Sequence, residues 1–347
     1  MEFICYTDWQ QLPDSADALF AQHEHDSMFL SRTWFVELAA SALEHGDSLL
    51  LACVVDGDQV LAMLPLRRCA GDTWYSLSNR YTSHFSLLIN DNEEAGDDRQ
   101  AILECLVQGL GSLPYRALRL EPVAEDDPVI TDMQAVMASA GMRCHRFFKF
   151  YNWIHRLQGE PFSEYFSARP PILRNSIKRK QRKFEREHGG RIRLFTSDNL
   201  ERAMRDYHSI YRASWKPEEP FGAFIEVLVR RLAERSWTRL AILYAGDQPV
   251  AGQIWFVAHE NAYIFRLAYD QAWKKSSPGS ILTSYLMERV IDADGVEQID
   301  YLIGNERYKQ DWMSERRQYF GLVCDNISKP VSRFNRLVES IRQRLFK

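Results

Sequence analysis

The strongest constraint on the fold is a repeat: the order of predicted elements in the first half of the chain returns in the second. Apolar periodicity predicts a pair of helices at the start of each half. These helices span residues 14–25 and 30–43, then 198–213 and 221–235. A β-hairpin follows in each half, at residues 49–66 and 239–257, and its reversal contains a Gly-Asp pair, which suits a tight turn. The chain is therefore predicted to contain two copies of one plan.

The elements after each hairpin also correspond. In the first half they are strands 74–78, 84–89 and 117–121 and helices 98–110 and 129–140. In the second half they are strands 262–269, 298–302 and 319–324 and helices from Gly279 to Ala293 and from Glu306. Gln158–Pro161 and Arg169–Pro171 interrupt the pattern between the halves. We predict an α/β fold of two tandem units, each a mixed, mainly antiparallel sheet flanked by helices, with domains at 1–157 and 158–347.

Composition narrows the class of protein. The longest uninterrupted apolar run, Leu49–Val55, is far shorter than the roughly 20 residues that span a membrane. The N-terminus shows no basic region followed by an apolar core, so no export signal is expected. The six cysteines lie far apart without a C-x-x-C pair, which predicts reduced, packed thiols. Together these features predict a cytoplasmic protein with no integral membrane segment.

Charge is divided unequally between the halves. Residues 1–150 hold 10 Lys/Arg against 23 Asp/Glu, whereas residues 151–347 hold 33 against 24. Only the second half is therefore suited to an anionic partner. Alternatively, the opposite net charges of the two halves help the halves to bind each other.

A loop in the second half has the composition of an anion site. Residues 270–280, D-Q-A-W-K-K-S-S-P-G-S, join the strand ending at Tyr269 to a helix. Free backbone N–H groups and the dipole at a helix start favour a phosphate, and Gly279 allows close approach of the ligand. An ordinary capped helix start explains these residues equally well. In the first half, residues 90–98 contain five acidic residues and no base, so they would repel a diphosphate.

These motifs resemble those of the GNAT acyltransferase superfamily. The resemblance rests on Tyr269-Asp270, on Ser277-Pro278-Gly279 opening a helix, and on residues 300–312, D-Y-L-I-G-N-E-R-Y-K-Q-D-W. More narrowly, the aromatic-rich segment 162–166 and the arginine-studded helix after it are similar to the CelD/BcsL-type branch. The resemblance covers residues 160–325, and it implies that residues 1–157 form a degenerate GNAT-like domain and 158–347 the acyltransferase domain.

The resemblance implies an N-acyltransferase in which an acceptor amine attacks a thioester directly. It implies acetyl-CoA or another acyl-CoA as co-substrate, no metal, and a small-molecule or sugar amine as acceptor, in cell-envelope or polysaccharide metabolism. The implied coenzyme-binding residues are Lys274, Lys275, Ser276, Ser277, Pro278, Gly279 and Ser280. The related Fem-type transferases use aminoacyl-tRNA, so a tRNA donor stays open, as does a catalytically inactive binding module.

Direct transfer needs a base for the amine, an oxyanion donor and an acid for the thiolate. Asp300 and Asp270 are candidates for the base or for holding the substrate ammonium, and both also fit a turn or capping carboxylate. Tyr308 is a candidate acid, or alternatively a half-buried aromatic residue. Lys309 could neutralise an anion in the cleft, or be an ordinary surface lysine. Glu306 is a weaker alternative base. We expect the cleft in the second unit or between the two.

The segment 173–187 is the most basic part of the chain, with seven Lys/Arg in fifteen residues. Helical spacing places Arg174, Lys178 and Arg182 on one face, as candidates for substrate binding. A solvated face, an anionic acceptor or CoA phosphates, and a tRNA acceptor stem are the three interpretations. No DNA-reading motif is present, so DNA is not an expected partner. His23 and His25 lack evident partner ligands, so a metal site is not expected either.

Overall fold

A computed structural model describes residues 1–69, 71–90 and 98–326. The strands are β1 Glu2–Tyr6, β2 Ser48–Asp56, β3 Gln59–Arg68, β4 Thr73–Ser76, β5 Leu88–Ile89, β6 Ala117–Ala124, β7 Arg143–Arg156, β8 Gly190–Phe195, β9 Thr238–Ala245, β10 Gln248–Ala258, β11 Asn261–Tyr269, β12 Gln298–Ile303 and β13 Glu315–Asp325. The α-helices are α1 Ala16–Glu24, α2 Arg32–Ser41, α3 Asp98–Ser112, α4 Pro128–Ser139, α5 Phe162–Ser167, α6 Pro171–His188, α7 Leu200–Arg212, α8 Gly222–Glu234, α9 Pro278–Glu288 and α10 Arg307–Trp312. A 3-10 helix spans Gln271–Ser276, and a π-turn, Arg289–Ala293, extends α9.

Both predicted hairpins are confirmed, and both close with a two-residue Gly-Asp loop. Asp56 pairs with Gln59 across the first loop, and Gln248 pairs with Ala245 across the second. The loop glycines have φ of 57° and 59°, which residues with a side chain rarely adopt. Gly57 and Gly246 therefore fix both reversals.

The chain divides into two compact units. One contains residues 1–149 and the stretch that begins at Gln318, and the other contains Phe150–Arg317. The chain passes between the units within β7 and within β13. The predicted domains, 1–157 and 158–347, describe sequence repeats rather than contact clusters, so that split stays a prediction.

Each unit has a sheet of the same construction. In the first, the strands follow the order β1-β2-β3-β4-β6-β13, and in the second the order is β8-β9-β10-β11-β12-β7. The β4–β6 and β11–β12 pairs are parallel, whereas the β1–β2–β3–β4, β8–β9–β10–β11, β6–β13 and β12–β7 pairings are antiparallel. The predicted α/β fold, in which each unit contributes mixed and mainly antiparallel strands flanked by helices, is confirmed.

The structure corrects the expected strand at 84–89. Only Leu88–Ile89 are in strand conformation, and they pair with Ala62 and Met63 of β3. The counterpart of β11 in the first unit is therefore β4, because β4 precedes α3 and runs parallel to β6. Most of the acidic segment compared with the anion loop, residues 91–97, lies outside the described residues.

The expectation of six reduced cysteines is wrong for one pair. Cys144 and Cys324, on β7 and β13 of the first unit, are joined by a disulfide. Their sequence separation is 180 residues, so the pairing depends on the fold and could not be read from local spacing. The remaining thiols, Cys5, Cys53, Cys69 and Cys105, are free.

Helix α9 packs its apolar face on the second sheet and thereby fixes the loop that precedes it. Ile281, Leu282, Leu286 and Met287 are at most 3% exposed and belong to the core of this unit. Burial of each such side chain contributes about 1.5–3 kcal/mol. Within the described part of the chain, no helix combines the length and the apolarity that crossing a bilayer requires.

Candidate active site

The two parallel strands β11 and β12 diverge shortly after they begin. Hydrogen-bonded pairing joins only Asn261–Tyr263 to Gln298–Asp300, although β11 continues to Tyr269 and β12 to Ile303. Beyond these three residue pairs, β11 and β12 are not paired with each other. The backbone edge of β11 from Ile264 onward therefore borders an opening in the sheet, where N–H donors can face a ligand.

Asp300 is the last residue of β12 that pairs with β11. Its carboxylate accepts the backbone N–H of Leu302 at 2.6 Å and the side-chain N–H of Asn152 at 3.1 Å. Leu302 has φ 55°, a left-handed conformation that its side chain makes costly. Asp300 is only 6% exposed, and burial raises the pKa of its carboxyl group. Both carboxylate oxygens of Asp300 are therefore engaged by the protein where the strands diverge.

Lys309 satisfies backbone carbonyls at the same strand end. Its ammonium donates to the carbonyls of Tyr301 at 3.2 Å and Ile303 at 2.5 Å, and forms an ion pair with Glu306 at 3.2 Å. The residue is 3% exposed, which excludes the interpretation as an ordinary surface lysine. Desolvation lowers the pKa of Lys309, and the nearby Glu306 and Asp300 carboxylates oppose that shift.

Tyr308 lies beside this strand end with its side chain accessible. It is 44% exposed, and its ring meets that of Tyr301 edge-on with the centroids 5.6 Å apart. Desolvation and the Glu306 carboxylate raise the pKa of the Tyr308 hydroxyl, which therefore keeps its proton at neutral pH. An accessible, protonated phenol can serve as a proton donor.

The loop between β11 and α9 begins with a capping carboxylate. Asp270 accepts the backbone N–H of Ala272 at 2.9 Å and so caps the 3-10 helix Gln271–Ser276. This contact matches the capping interpretation of Asp270. Lys274 and Lys275 occupy the last turn of that 3-10 helix, where both are exposed to solvent, and Ser276 completes it.

The start of α9 has an unusual backbone. Ser277, the residue before the helix, is left-handed with φ 51°, and Pro278 supplies the first helical position. Gly279 faces Tyr269, since a Cβ on it would lie 3.3 Å from a ring carbon. Ser280 completes the first turn. The first N–H groups of a helix have no partner within it, so this turn presents donors to an anion.

The basic helix α6 meets this loop through a residue that the sequence analysis did not select. The Lys180 ammonium donates to the hydroxyl of Ser277. Phe184 and His188 pack on Trp273 of the 3-10 helix, with ring centroids 5.5 and 4.9 Å apart. Lys180 follows Ile177 by three residues and precedes Phe184 by four, so helical spacing alone could have placed it on the docked face.

The three selected residues of α6 do not converge on the loop. Arg174 is partly buried and donates to the carbonyl of Arg169 at 3.0 Å. Lys178 and Arg182 are exposed. Among the residues predicted for the site, the structure thus brings the loop lysines together with the start of α9, and Asp300 together with Lys309, but leaves Lys178 and Arg182 in solvent.

A buried polar network that starts on strand β10 holds the first turn of α9 in place. The fully buried Gln253 donates to the carbonyl of Gly279 at 2.9 Å and to the hydroxyl of Thr283 at 2.8 Å. Its own side-chain oxygen accepts the indole N–H of Trp255 at 2.8 Å. Buried networks of this kind rigidify the backbone they hold. Since Gln253 lies mid-strand without a motif, only the fold reveals its contact with the loop.

Within the described residues, no group of three or more His, Cys, Asp or Glu side chains is arranged to hold a metal ion. Backbone donors, cations and aromatic rings surround the opening between β11 and β12. Such a site suits an anionic ligand that accepts hydrogen bonds from the backbone.

Comparisons with known proteins agree with this geometry. The family described as Acetyltransferase (GNAT) domain matches residues 173–310, which include the basic helix, the loop and the diverging strands. A search of curated proteins found no match. The family match is to the general GNAT domain, so the narrower resemblance to the CelD/BcsL-type branch stays a prediction.

Several solved structures share the fold. FemX aligns with a TM-score of 0.63 at 11% identity, over 93% of this chain and 97% of FemX. The C-terminal domain of a putative lysylphosphatidylglycerol synthetase from Agrobacterium fabrum gives 0.55 at 11%, over 90% and 91%. A tandem GNAT protein from the clavulanic acid biosynthesis pathway gives 0.53 at 12%, over 92% and 97%. At these identities the likeness concerns the fold alone. Residues 173–310 thus match the GNAT acetyltransferase domain, and the chain has a fold that tandem GNAT proteins share.

Proposed function

We propose that this protein is an N-acyltransferase that moves an acyl group, with acetyl the first candidate, from acyl-CoA to an amine. The observation that carries the proposal is the opening between β11 and β12, which lies next to a helix start supplied with Lys180, Lys274 and Lys275. The coenzyme diphosphate would meet the first turn of α9, and the acyl arm would lie along the free edge of β11.

The transfer is a direct displacement at the thioester carbonyl. The neutral amine forms the new C–N bond, the C–S bond breaks, and the amine proton leaves to a base or to water. Backbone N–H groups on the unpaired part of β11 would stabilise the oxyanion. Tyr308, accessible and protonated, is our candidate to return a proton to the departing thiolate. In this proposal Asp300 and Lys309 shape the cleft, because their polar atoms are already engaged.

Thermal-shift titration with acetyl-CoA, longer acyl-CoAs and free CoA tests the donor. A ligand at 100 times its dissociation constant adds about 2.7 kcal/mol to the free energy of unfolding. We expect CoA compounds to stabilise the wild-type protein and to stabilise the Lys180→Met variant less. Absence of stabilisation by every CoA compound would reject the proposal. Stabilisation without transfer to any amine in a broad screen would instead favour an inactive binding module.

An aminoacyl-tRNA-dependent transferase is the second candidate, favoured by the exposed cationic face of α6 and by the fold shared with FemX. Lys178 and Arg182 belong to that face. The tRNA hypothesis predicts that reversing both charges, Lys178→Glu with Arg182→Glu, weakens tRNA binding and lowers its salt dependence. The CoA hypothesis predicts that the same double variant binds CoA as the wild type does. The two measurements on one variant separate the candidates.

A further inference from the structure

The loop between α7 and α8 lies against the end of β11, where the rings of Trp215 and Tyr269 are 4.5 Å apart, and it carries the partly buried Lys216. The Lys216 ammonium lies 5.8 Å from the ring centroid of Trp215 and 6.0 Å from that of Tyr211. Desolvation lowers its pKa to about 8, helped by Arg266 and Lys309 and opposed by Glu219 and Glu306. Arg266 belongs to the diverging part of β11, and Lys309 sits on the carbonyls of β12.

The carboxylates near Lys216 already have cationic partners. Glu219 pairs with Arg266 at 3.4 Å, and Glu306 pairs with Lys309 at 3.2 Å. Among the described residues, Lys216 itself forms no ion pair within 4.0 Å. A desolvated cation in this position lacks a counter-ion of its own, and an incoming anion would supply one.

A buried hydroxyl lies on the helix that precedes this loop. Tyr207 on α7 is 3% exposed, and in the described structure its hydroxyl has no hydrogen-bond partner. Its ring centroid lies 6.1 Å from that of Tyr211, the ring that Lys216 also approaches, and burial raises the pKa of its hydroxyl. A buried, unpaired O–H is costly and rare in native proteins. Its presence here points to a ligand that accepts the hydrogen bond.

We infer that Lys216, Arg266 and Tyr207 form a subsite for an oxyanion, a carboxylate or a phosphate, carried by the amine acceptor. This inference rests on the proposed function and names its substrate class: amines with an anionic group a few bonds from the nitrogen. Trp215 and Tyr308, 48% and 44% exposed, would provide apolar contact for the rest of the acceptor. On binding, the anion stabilises the charged form of Lys216.

The pKa of Lys216 is the direct readout of this subsite. At pH 8 about half of the Lys216 side chains are neutral and open to reductive methylation, and a rise of one pKa unit would slow that reaction about fivefold. We expect inorganic phosphate or succinate to slow methylation of Lys216 relative to chloride at equal ionic strength. The more effective of the two identifies the oxyanion. Lys178, exposed on α6, is the internal control and should respond to neither.

A Tyr207→Phe variant tests the hydroxyl without removing an existing hydrogen bond. In this variant we expect the effective anion to protect Lys216 from methylation severalfold less, while the fold is unchanged. Two results would overturn the inference: equal methylation of Lys216 in phosphate, succinate and chloride, or protection by free CoA that matches the anion and competes with it. The thermal shift of Lys216→Met with CoA is measured separately. If CoA still stabilises this variant, the donor site is intact, and a negative methylation result then concerns this subsite alone.

Discussion

Lys180 on the basic helix donates from its ammonium to the hydroxyl of Ser277, the residue that opens α9. A cation is thereby placed at the positive end of a helix dipole, where positive charge is unfavourable by a few tenths of a kcal/mol to about 1 kcal/mol. An anion bound to the first turn of α9 would remove that cost and gain from both partners. Through this contact one lysine of the basic helix meets the loop, whereas Lys178 and Arg182 stay in solvent.

The first prediction concerns this contact. Lys180→Met should weaken CoA binding about 5- to 30-fold, since a hydrogen bond to a charged group contributes about 1–2 kcal/mol at a partly exposed site. Isothermal titration calorimetry with CoA measures the change. Lys178→Met, two residues earlier and exposed, is the matched control and should bind as the wild type does. Equal affinities for both variants would remove α6 from the coenzyme site.

The second prediction concerns Gly304, which has φ 128° at the end of β12. A Cβ there would lie 2.8 Å from the Lys309 ammonium and would also collide with the Glu306 carboxylate. Gly304→Ala should therefore lower the free energy of unfolding by about 1–3 kcal/mol, the usual cost of a strained backbone position. Gly222→Ala, at a helix start with open space around it, should change stability by less than about 1 kcal/mol. Urea denaturation of both variants measures the difference.

The sequence predicted those elements whose signals are local. The hairpins followed from pairs of short apolar segments joined by Gly-Asp turns, and α9 followed from its apolar face. Strand β7, Arg143–Arg156, was not predicted because its exposed and buried residues do not alternate regularly. Its place comes instead from partners far along the chain, such as Gln298 opposite Arg156.

The candidate site shows the same division between local and distant signals. The loop residues were found from composition, and helical spacing could have found Lys180. Nothing near Gln253 or Lys216 in the sequence indicates their roles, because burial by other elements gives Gln253 its contact with Gly279 and lowers the pKa of Lys216. Asp300 was selected as a base for its position at a strand end, whereas its contacts with Leu302 and Asn152 indicate that it shapes the strand.

The third prediction concerns the disulfide of the first unit. Thiol titration of the denatured protein without reductant should find four free cysteines, and prior reduction should raise the number to six. Cys144→Ser should expose the thiol of Cys324 and give five without reductant. Cys105→Ser, at one of the free thiols, is the control and should give three. Six thiols in the unreduced wild type would contradict the pairing of Cys144 with Cys324.

The last prediction concerns the pH dependence of stability at Asp300. Burial raises the pKa of its carboxyl group above the value of about 3.8 expected for an unfolded chain. The folded protein therefore binds this proton more tightly, and the associated stability is complete below the unfolded pKa and lost as pH rises through the folded one. Asp300→Asn cannot ionise, so its stability relative to the wild type should increase as pH rises above about 4.

The asparagine variant keeps the hydrogen bonds that matter. Its side-chain oxygen can still accept the N–H of Leu302, and its amide can donate to the side-chain oxygen of Asn152, which has no partner among the described residues. Asp300→Ala loses the acceptor for Leu302 and should be less stable by about 1–3 kcal/mol across the pH range. Urea denaturation from pH 4 to 8 compares the three proteins. If Asp300 positions β12 rather than taking a proton, Asp300→Asn should also retain most of the transfer rate, whereas a rate loss of several hundredfold in a folded, CoA-binding variant would make Asp300 the base.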